Sequence, residues 1–237
     1  MPVAKRKTRQ ERAQIYQGAV QNRNILMTSD ENGNFSDKAS DAGVGYPGWS
    51  WNSRLSDLDQ DGREDLLVMT GIWQRLASAT TNVFYHNQGS HFTDATDQFG
   101  FHDLTPSFGY VQLDFDRDGD VDIIRDNMAL RMIVHRNDNP AGPALWISLR
   151  DKIGNRLGIG AKITICTDGE VTVRVGKCQM RVIHASGGYM SSDPIVAHFG
   201  LGNAKSVSLI EIRWPDGEIS TIKPTSLLGG DIRIKRE

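Results

Sequence analysis

The chain has 237 residues, of which 38% are hydrophobic and 24% are charged, a composition typical of a globular protein with a sizeable core. Its 27 basic and 29 acidic residues nearly cancel, which excludes a globally basic nucleic-acid binder. Because no run of about 18 apolar residues occurs, the sequence predicts no transmembrane helix.

The first 21 residues form a basic segment, with five positive charges and one negative charge between Met1 and Arg12. No apolar stretch follows, so the segment is not predicted to be a signal peptide. A short helix is predicted only near Arg9–Val20. We interpret the segment as a solvated chain end rather than a nucleic-acid or localisation tail, because nothing basic follows it.

The first half of the chain contains an internal repeat. Asn32–Asp37 resembles Gly89–Asp94, and an acidic loop that begins at Asp57 recurs at Asp114, 57 residues later and without a gap. Short apolar stretches separated by turn residues predict an all-β repeat of the size of a propeller blade. The predicted strands are Asn24–Met27, Trp49–Leu55, Leu66–Met69, Asn82–His86, Phe108–Leu113 and Ile123–Arg125.

Each repeat carries a nine-residue loop of the pattern D-x-D-x-D-G-x-x-D. So much negative charge in one loop is costly unless a cation neutralises it, and Ca²⁺ takes about six to eight oxygen ligands. Carboxylates at positions 1, 3, 5 and 9 and the carbonyl at position 7 can surround such an ion, while the glycine allows the backbone to turn. The predicted ligands are Asp57, Asp59, Asp61, the Arg63 carbonyl and Asp65 in the first loop, and Asp114, Asp116, Asp118, the Asp120 carbonyl and Asp122 in the second.

Other interpretations of these loops fit the residues less well. An EF-hand needs a Glu at position 12 and flanking helices, but Val68 and Arg125 stand there between β-type flanks. Mg²⁺ prefers fewer protein ligands, and Zn²⁺ prefers Cys or His, which the loops lack. A solvated acidic turn has no general need of the glycine and would not recur in register. The predicted ion is therefore Ca²⁺.

The loops, together with Phe35–Asp37 and Phe92–Asp94, resemble FG-GAP/VCBS repeats, the calcium-loop propeller repeats of integrin α-subunits and many secreted bacterial proteins. The resemblance covers about residues 22–137 of a predicted domain at residues 22–143. It implies propeller-blade-like repeats, but closed propellers need about four to eight blades. Two blades alone would leave unpaired strand edges exposed. The sequence therefore predicts that the second half of the chain covers these edges, that copies of the chain associate, or that the chain is part of a longer protein.

Residues 144–237 form a different predicted module, a β-sandwich or barrel. Cys166 and Cys178 fall on neighbouring predicted strands and could form one bridge, although the sequence does not determine the pairing. The predicted strands are Ala144–Arg150, Ala161–Thr167, Glu170–Val175, Gln179–Ile183, Ser206–Trp214, Glu218–Lys223 and Gly230–Ile234.

Four motifs in this module occur in order: Asn155–Ala161, Ser186–Ser192, His198–Gly202 and Ile212–Gly217. The set resembles the ASPIC/UnbV domain, which follows FG-GAP repeats in the cartilage acidic protein family and in many bacterial exported proteins. The molecular activity of that family is poorly defined. From the residues alone, the glycines suit tight turns or close backbone approach, and His198 is interpreted as structural rather than catalytic.

The sequence thus predicts a non-enzymatic, calcium-binding interaction or adhesion module with a protein or glycan ligand and no membrane insertion. An extracellular location is expected from the resemblance and from the availability of calcium outside the cell, although no signal peptide is visible. Neither G-x-S-x-G nor H-E-x-x-H occurs, so no catalytic residues are predicted. Two alternatives stay open: a self-associating assembly subunit, and a carbohydrate-active enzyme or its accessory protein. An open cleft with a perturbed carboxylate or histidine outside the loops would favour the enzyme.

Overall fold

The computed structural model describes residues 23–71, 82–103, 105–127, 130–138, 142–152, 154–168, 178–226 and 228–236. Within these ranges the protein is all-β, with sixteen strands in five sheets and no helix. No helix able to cross a membrane occurs in the part of the chain so described. The basic segment with its predicted helix near Arg9–Val20, and the predicted strand Glu170–Val175, lie outside the described residues.

The first half consists of three antiparallel sheets, each formed by strands that are consecutive in the chain. A hairpin, a four-stranded meander and a three-stranded meander follow one another. The hairpin comprises β1 (Met27–Ser29) and β2 (Phe35–Asp37). The first meander comprises β3 (Ser50–Ser56), β4 (Asp65–Thr70), β5 (Val83–Asn87) and β6 (Phe92–Asp94), and the second comprises β7 (Ser107–Leu113), β8 (Asp122–Asn127) and β9 (Ile133–His135).

The two meanders repeat each other in detail. Leu55 pairs with Leu66 in the first and Gln112 with Ile123 in the second, 57 residues later. The strand before each acidic loop shifts register once near its start, and the strand after it is almost wholly buried because neighbours cover both of its edges. None of the described sheets closes into a ring, so the blade-like form rests on strand order alone.

The second half comprises two sheets that share one hydrophobic core, as in a β-sandwich. Fully buried Ile147, Ile163, Phe199 and Ile212 come from both sheets. One sheet has the order β13-β10-β16 and the other the order β12-β11-β14-β15. The strands are β10 (Ala144–Arg150), β11 (Lys162–Thr167), β12 (Cys178–Val182), β13 (Ala197–Gly200), β14 (Val207–Arg213), β15 (Ile219–Ile222) and β16 (Gly230–Lys235).

A disulfide joins Cys166 of β11 to Cys178 of β12. The two residues are direct partners in the antiparallel ladder, with Cα atoms 4.0 Å apart. The register of this strand pair, which the sequence does not reveal, therefore determines the bridge.

The sandwich packs directly against the repeats. Trp146 of β10 belongs to the hydrophobic cluster of the repeats, and its indole nitrogen donates a hydrogen bond of 2.8 Å to the Gly119 carbonyl. Arg54 of β3 forms an ion pair with Asp193, and the Tyr110 backbone N–H donates to Ser191 Oγ at 3.0 Å. These contacts join the two halves along β3, β7 and both acidic loops.

Candidate metal centre

The first acidic loop connects β3 to β4 and curls back on itself. Gly62 has φ 89° and Gln60 has φ 58°, both in the left-handed region. The turn brings the Gly62 N–H to 2.9 Å from Asp57 Oδ2. As a result, oxygens of Asp57, Asp59 and Asp61 lie within 4.8 Å of one another, close enough to share one ion.

The aspartate at the ninth position closes each loop. Asp65 accepts hydrogen bonds from the backbone N–H of Leu58 at 3.3 Å and of Asn87 at 2.8 Å. In the second loop, Asp122 accepts the equivalent bonds from the backbone N–H of Phe115 at 2.7 Å and of Asn137 at 2.8 Å. Both carboxylates are thus oriented by the neighbouring backbone.

The second loop, between β7 and β8, has the same turn. Gly119 has φ 103°, and its N–H donates to Asp114 Oδ2 at 3.1 Å. Oxygens of Asp114, Asp116 and Asp122 lie within 4.8 Å of one another. Asp118 is outside this group, and its Oδ1 accepts a bond of 3.2 Å from the Asp120 N–H.

Two predicted ligand positions carry side chains with other contacts. The Arg63 guanidinium forms an ion pair with Asp61 and donates to the Asn87 carbonyl at 2.9 Å. The Asp120 side chain is buried, and burial followed by the charge of Asp118 raises its pKa to about 8. The prediction assigned the backbone carbonyls of Arg63 and Asp120 to the ion, and that assignment stays a prediction.

Buried carboxylate oxygens in both loops lack a hydrogen-bond donor. Oδ1 of Asp57, of Asp114 and of Asp120 has no partner in the structure. Burial, followed by the charge of Asp59, raises the pKa of Asp57 to about 8, and burial also raises the pKa of Asp114. A buried anion without a partner is costly, so the loops fit a cation. Because the donors are oxygens, a hard cation such as Ca²⁺ suits them best.

The structure adds one residue beside each loop that sequence reasoning missed: His86 in the third strand of the first meander, and Arg136, which directly follows the third strand of the second. His86 Nε2 lies 2.8 Å from Asp59 Oδ2, and this hydrogen bond raises the pKa of His86. Arg136 Nε lies 3.9 Å from Asp116 Oδ2. The ladder makes the two positions equivalent, since Leu66 pairs with Tyr85 and Ile123 with His135. The sequence does not reveal this equivalence, because the connections before the third strands of the two meanders differ in length.

Motif glycines of the sandwich contact the repeats. The Gly200 N–H donates to Asp57 Oδ2 at 3.1 Å, and the Gly202 N–H donates to the Gln60 carbonyl at 2.9 Å. A Cβ at Gly200 would collide with Asp57, and one at Gly187 or Gly188 would collide with β3 side chains. Close backbone approach, one of the two reasons expected for these glycines, therefore explains them.

His198 also lies at this junction. Burial, followed by the charge of Arg181, lowers the pKa of His198 to about 3. Its ring centre is 4.6 Å from that of Trp146. A neutral histidine packed against an indole matches the structural interpretation made from the sequence.

Comparison with known families defines the class of the second module. Residues 151–227 match the family model described as ASPIC and UnbV, so the chain contains an ASPIC/UnbV domain. The chain is 33% identical over 115 residues to "Cartilage acidic protein 1" of Mus musculus, an alignment that covers 47% of this chain and 17% of that protein.

Two further relatives are similar to the same extent. "Cartilage acidic protein 1" of Homo sapiens is 33% identical over 116 residues, covering 47% of this chain and 16% of that protein. The protein of the same name from Xenopus tropicalis is 34% identical over 118 residues, covering 48% of this chain and 17% of that protein. The chain thus spans about a sixth of the length of these relatives.

Proposed function

We propose that this protein is a calcium-binding, non-enzymatic interaction or adhesion module in which FG-GAP/VCBS-type repeats support an ASPIC/UnbV domain. The observation that carries the proposal is the unpartnered Oδ1 of the first aspartate in each loop, Asp57 and Asp114. In both loops the other oxygen of that residue is held by the glycine N–H. Each loop therefore holds its first aspartate by one carboxylate oxygen and leaves the other without a hydrogen-bond donor.

Calcium acts structurally in this proposal. An ion bound to the folded form alone stabilises that form by mass action. Because Gly200 and Gly202 are bonded to the first loop, ordering of that loop also holds the sandwich against the repeats. The surface formed by the two halves would then meet a protein or glycan partner as one rigid unit.

Two features support an extracellular location. Disulfides such as Cys166–Cys178 persist in oxidising compartments and are rare in the cytosol. The relatives are named for cartilage, an extracellular tissue matrix. Extracellular calcium modules have dissociation constants of about 10⁻⁴–10⁻³ M, a range that suits such a location.

A second candidate, a carbohydrate-active enzyme or its accessory protein, is favoured by one observation. A cleft that borders the first acidic loop contains His198, which lies outside both loops and whose pKa burial lowers to about 3. Of the three carboxylates that line the cleft, Asp193 and Glu64 are paired with Arg54 and Arg181, and Asp57 is a predicted calcium ligand. Since paired carboxylates are poor general acids and bases, we favour binding over catalysis.

The test is thermal unfolding with calcium titrated against a chelator, read beside the number of bound ions. We expect two calcium ions per chain and a rise in Tm with calcium concentration. Mg²⁺ at the same concentration is the ion control, and Asp41→Asn, which alters a carboxylate 77% exposed outside the loops, is the variant control. Absence of both bound metal and a Tm shift would refute calcium binding by these loops.

A further inference from the structure

The third strand of the first meander, β5, brings a histidine to the first acidic loop, which has none of its own. His86 Nε2 lies 2.8 Å from Asp59 Oδ2. One ligand atom each of Asp59, Asp65 and His86 lies within 4.8 Å of the other two. The His86 and Asp59 side chains are 19% and 17% exposed, so both are accessible from solvent. The pairing of β5 with β4 therefore adds a nitrogen donor to a set of oxygens.

The two carboxylates of this cluster are oriented by the backbone and keep room for an ion. Asp59 Oδ1 accepts a hydrogen bond of 3.3 Å from the Asp61 N–H. The two oxygens of Asp65 accept bonds of 3.3 and 2.8 Å from backbone N–H groups. Because a carboxylate oxygen has two lone pairs, one such bond leaves it able to coordinate a metal.

The charge beside the cluster calls for a cation. Asp57 is 1% exposed, its Oδ1 has no hydrogen-bond partner, and one of its oxygens lies within 4.8 Å of an oxygen of Asp59. Asp57 and the cluster together carry three carboxylates, and a protonated His86 neutralises only one of them. The Arg63 guanidinium pairs with Asp61, which lies outside the cluster. A buried carboxylate without a partner is costly unless a cation is bound.

The other ring nitrogen of His86 has a partner that suits metal binding. The side-chain amide nitrogen of Gln88 lies 2.7 Å from His86 Nδ1. A half-turn of that amide exchanges its nitrogen for its oxygen, which then accepts a hydrogen bond from protonated Nδ1. A histidine that binds a metal almost always donates its other N–H in this way, which fixes the ring and leaves the lone pair of Nε2 for the ion.

The second loop lacks the nitrogen donor. Its converging atoms are all carboxylate oxygens, from Asp114, Asp116 and Asp122. The position equivalent to His86 is Arg136. The neighbouring His135 does not replace the missing donor, because its Nε2 accepts a bond of 2.9 Å from Arg125 Nε. The two loops should therefore differ in the metals that they accept.

We propose that the first acidic loop also binds a transition-metal ion such as Zn²⁺, through His86 Nε2 and oxygens of Asp59 and Asp65, in competition with Ca²⁺. Both aspartates belong to the predicted calcium shell, so this inference rests on the proposed function. Zn²⁺ favours imidazole nitrogen, whereas Ca²⁺ takes oxygen ligands. Ligands lie about 2.0–2.2 Å from Zn²⁺, so donors about 4 Å apart can share one ion, as His86 Nε2 and Asp59 Oδ2 can.

The test is equilibrium dialysis of the whole chain, followed by analysis of the bound metals. In calcium buffer without zinc we expect two calcium ions per chain, and added Zn²⁺ should load one zinc ion and release one calcium ion. His86→Gln should keep two calcium ions and weaken zinc binding at least tenfold, because loss of even the partner of a metal ligand costs about 10–100-fold. His91→Gln, at an exposed histidine outside the loops, is the matched control.

A second variant tests the equivalence of the two loops. Arg136→His places an imidazole beside Asp116 at the position that corresponds to His86, so we expect a second zinc ion per chain. Two bound calcium ions together with zinc binding that His86→Gln does not weaken would overturn this inference alone. Absence of bound calcium before zinc is added would refute the proposed function and, with it, the competition between the two metals.

Discussion

The two acidic loops have the same internal bonds and different surroundings. In each, the glycine N–H holds the first aspartate and two backbone N–H groups hold the ninth. Residues 57–65 are buried or half-buried, whereas residues 115–118 of the second loop are exposed. The comparison teaches that the repeated pattern sets the turn and the bonds of the first and ninth aspartates, whereas the aspartates that converge and the contacts of each loop with its surroundings differ.

The two acidic loops contact the rest of the molecule through different residues. The first loop meets the sandwich through Gly200 and Gly202, and it has a histidine beside Asp59. The second loop meets the sandwich through Trp146 and has an arginine beside Asp116. The Gln60 side chain links the loops by donating to the Gly119 carbonyl at 3.3 Å.

The largest effect is expected at the contact that only the first loop has. Gly200→Ala places a methyl group against the Asp57 carboxylate and the Gln60 backbone. Overpacking at a rigid contact costs about 1–3 kcal/mol, occasionally more, so the free energy of unfolding in urea should fall by at least this amount. The control is Gly45→Ala, where the added methyl would meet only ordinary contacts. Equal losses in the two variants would mean that the Gly200 contact is unimportant.

Next in size is the loss of the first ligand of each loop. Asp57→Asn and Asp114→Asn should each remove one bound calcium ion and its share of the stabilisation, which is about 2.7 kcal/mol at a ligand concentration of 100 Kd. Asp57→Asn should also weaken the calcium-dependent protection of the sandwich in hydrogen exchange, because Asp57 bonds to Gly200. If Asp114→Asn weakened that protection as much as Asp57→Asn, the two loops would not differ in their connection to the sandwich.

A pH effect of comparable or smaller size should come from one buried histidine near each loop. Burial and then Arg181 lower the pKa of His198 to about 3, and burial and then Arg125 lower that of His135 to about 4, although Asp103 opposes the second shift. At each of these two histidines the unfolded chain takes up a proton below about pH 6.5 that the native chain does not, so their contribution to stability is lost as the pH falls from 6.5 toward 4. Each histidine contributes at most about 1.4 kcal/mol per pH unit.

Single substitutions distinguish the contributions of the two histidines to the pH dependence of stability. His198→Gln and His135→Gln should each flatten the loss of unfolding free energy between pH 6.5 and pH 5 at saturating calcium. The two effects should be nearly equal in this range, because both native pKa values lie below pH 5, and the His135 effect should level off first as the pH falls to about 4. If the free energy of unfolding depended on pH in both variants as it does in the parent, the two histidines would not be the source of the pH dependence.

The smallest effect is expected at the third-strand residues. Arg136→Gln removes a positive charge 3.9 Å from Asp116 and should strengthen calcium binding in the second loop. Because Arg136 is 56% exposed, the gain should be only about two- to fivefold and should shrink in high salt. His86→Gln should leave the affinity of the second loop unchanged, as calcium titration of each variant would reveal.

Local patterns allowed the loops to be predicted, since all the proposed ligands lie within nine residues and one glycine sets the turn. Both ends of each strand that flanks a loop were predicted to within two residues, because their apolar patterns are continuous. Predicted Asn24–Met27 is instead a strand at Met27–Ser29, while Phe35–Asp37 and Phe92–Asp94 are paired strands rather than isolated segments. Strand β9 and strand β13 were missed.

What the sequence could not reveal depends on pairing between distant segments. His86 approaches Asp59 only because β5 pairs with β4, and Gly200 approaches Asp57 across more than half of the chain. The motif glycines were recognised as sites of close approach, but their partners in β3 and in the first loop could not be identified. The cleft has the same origin, because its walls come from both halves.

Strand β10 has a consequence for how the sandwich can be isolated. The family match covers residues 151–227, whereas β10 ends at Arg150 and β16 begins at Gly230. These are two of the three strands in the sheet β13-β10-β16, and β10 supplies Ile147 and Leu149 to the core. A polypeptide trimmed to the matched residues would keep the motifs and lose two of the three strands of that sheet. The smallest autonomous folding unit is therefore longer than the segment that family comparison recognises.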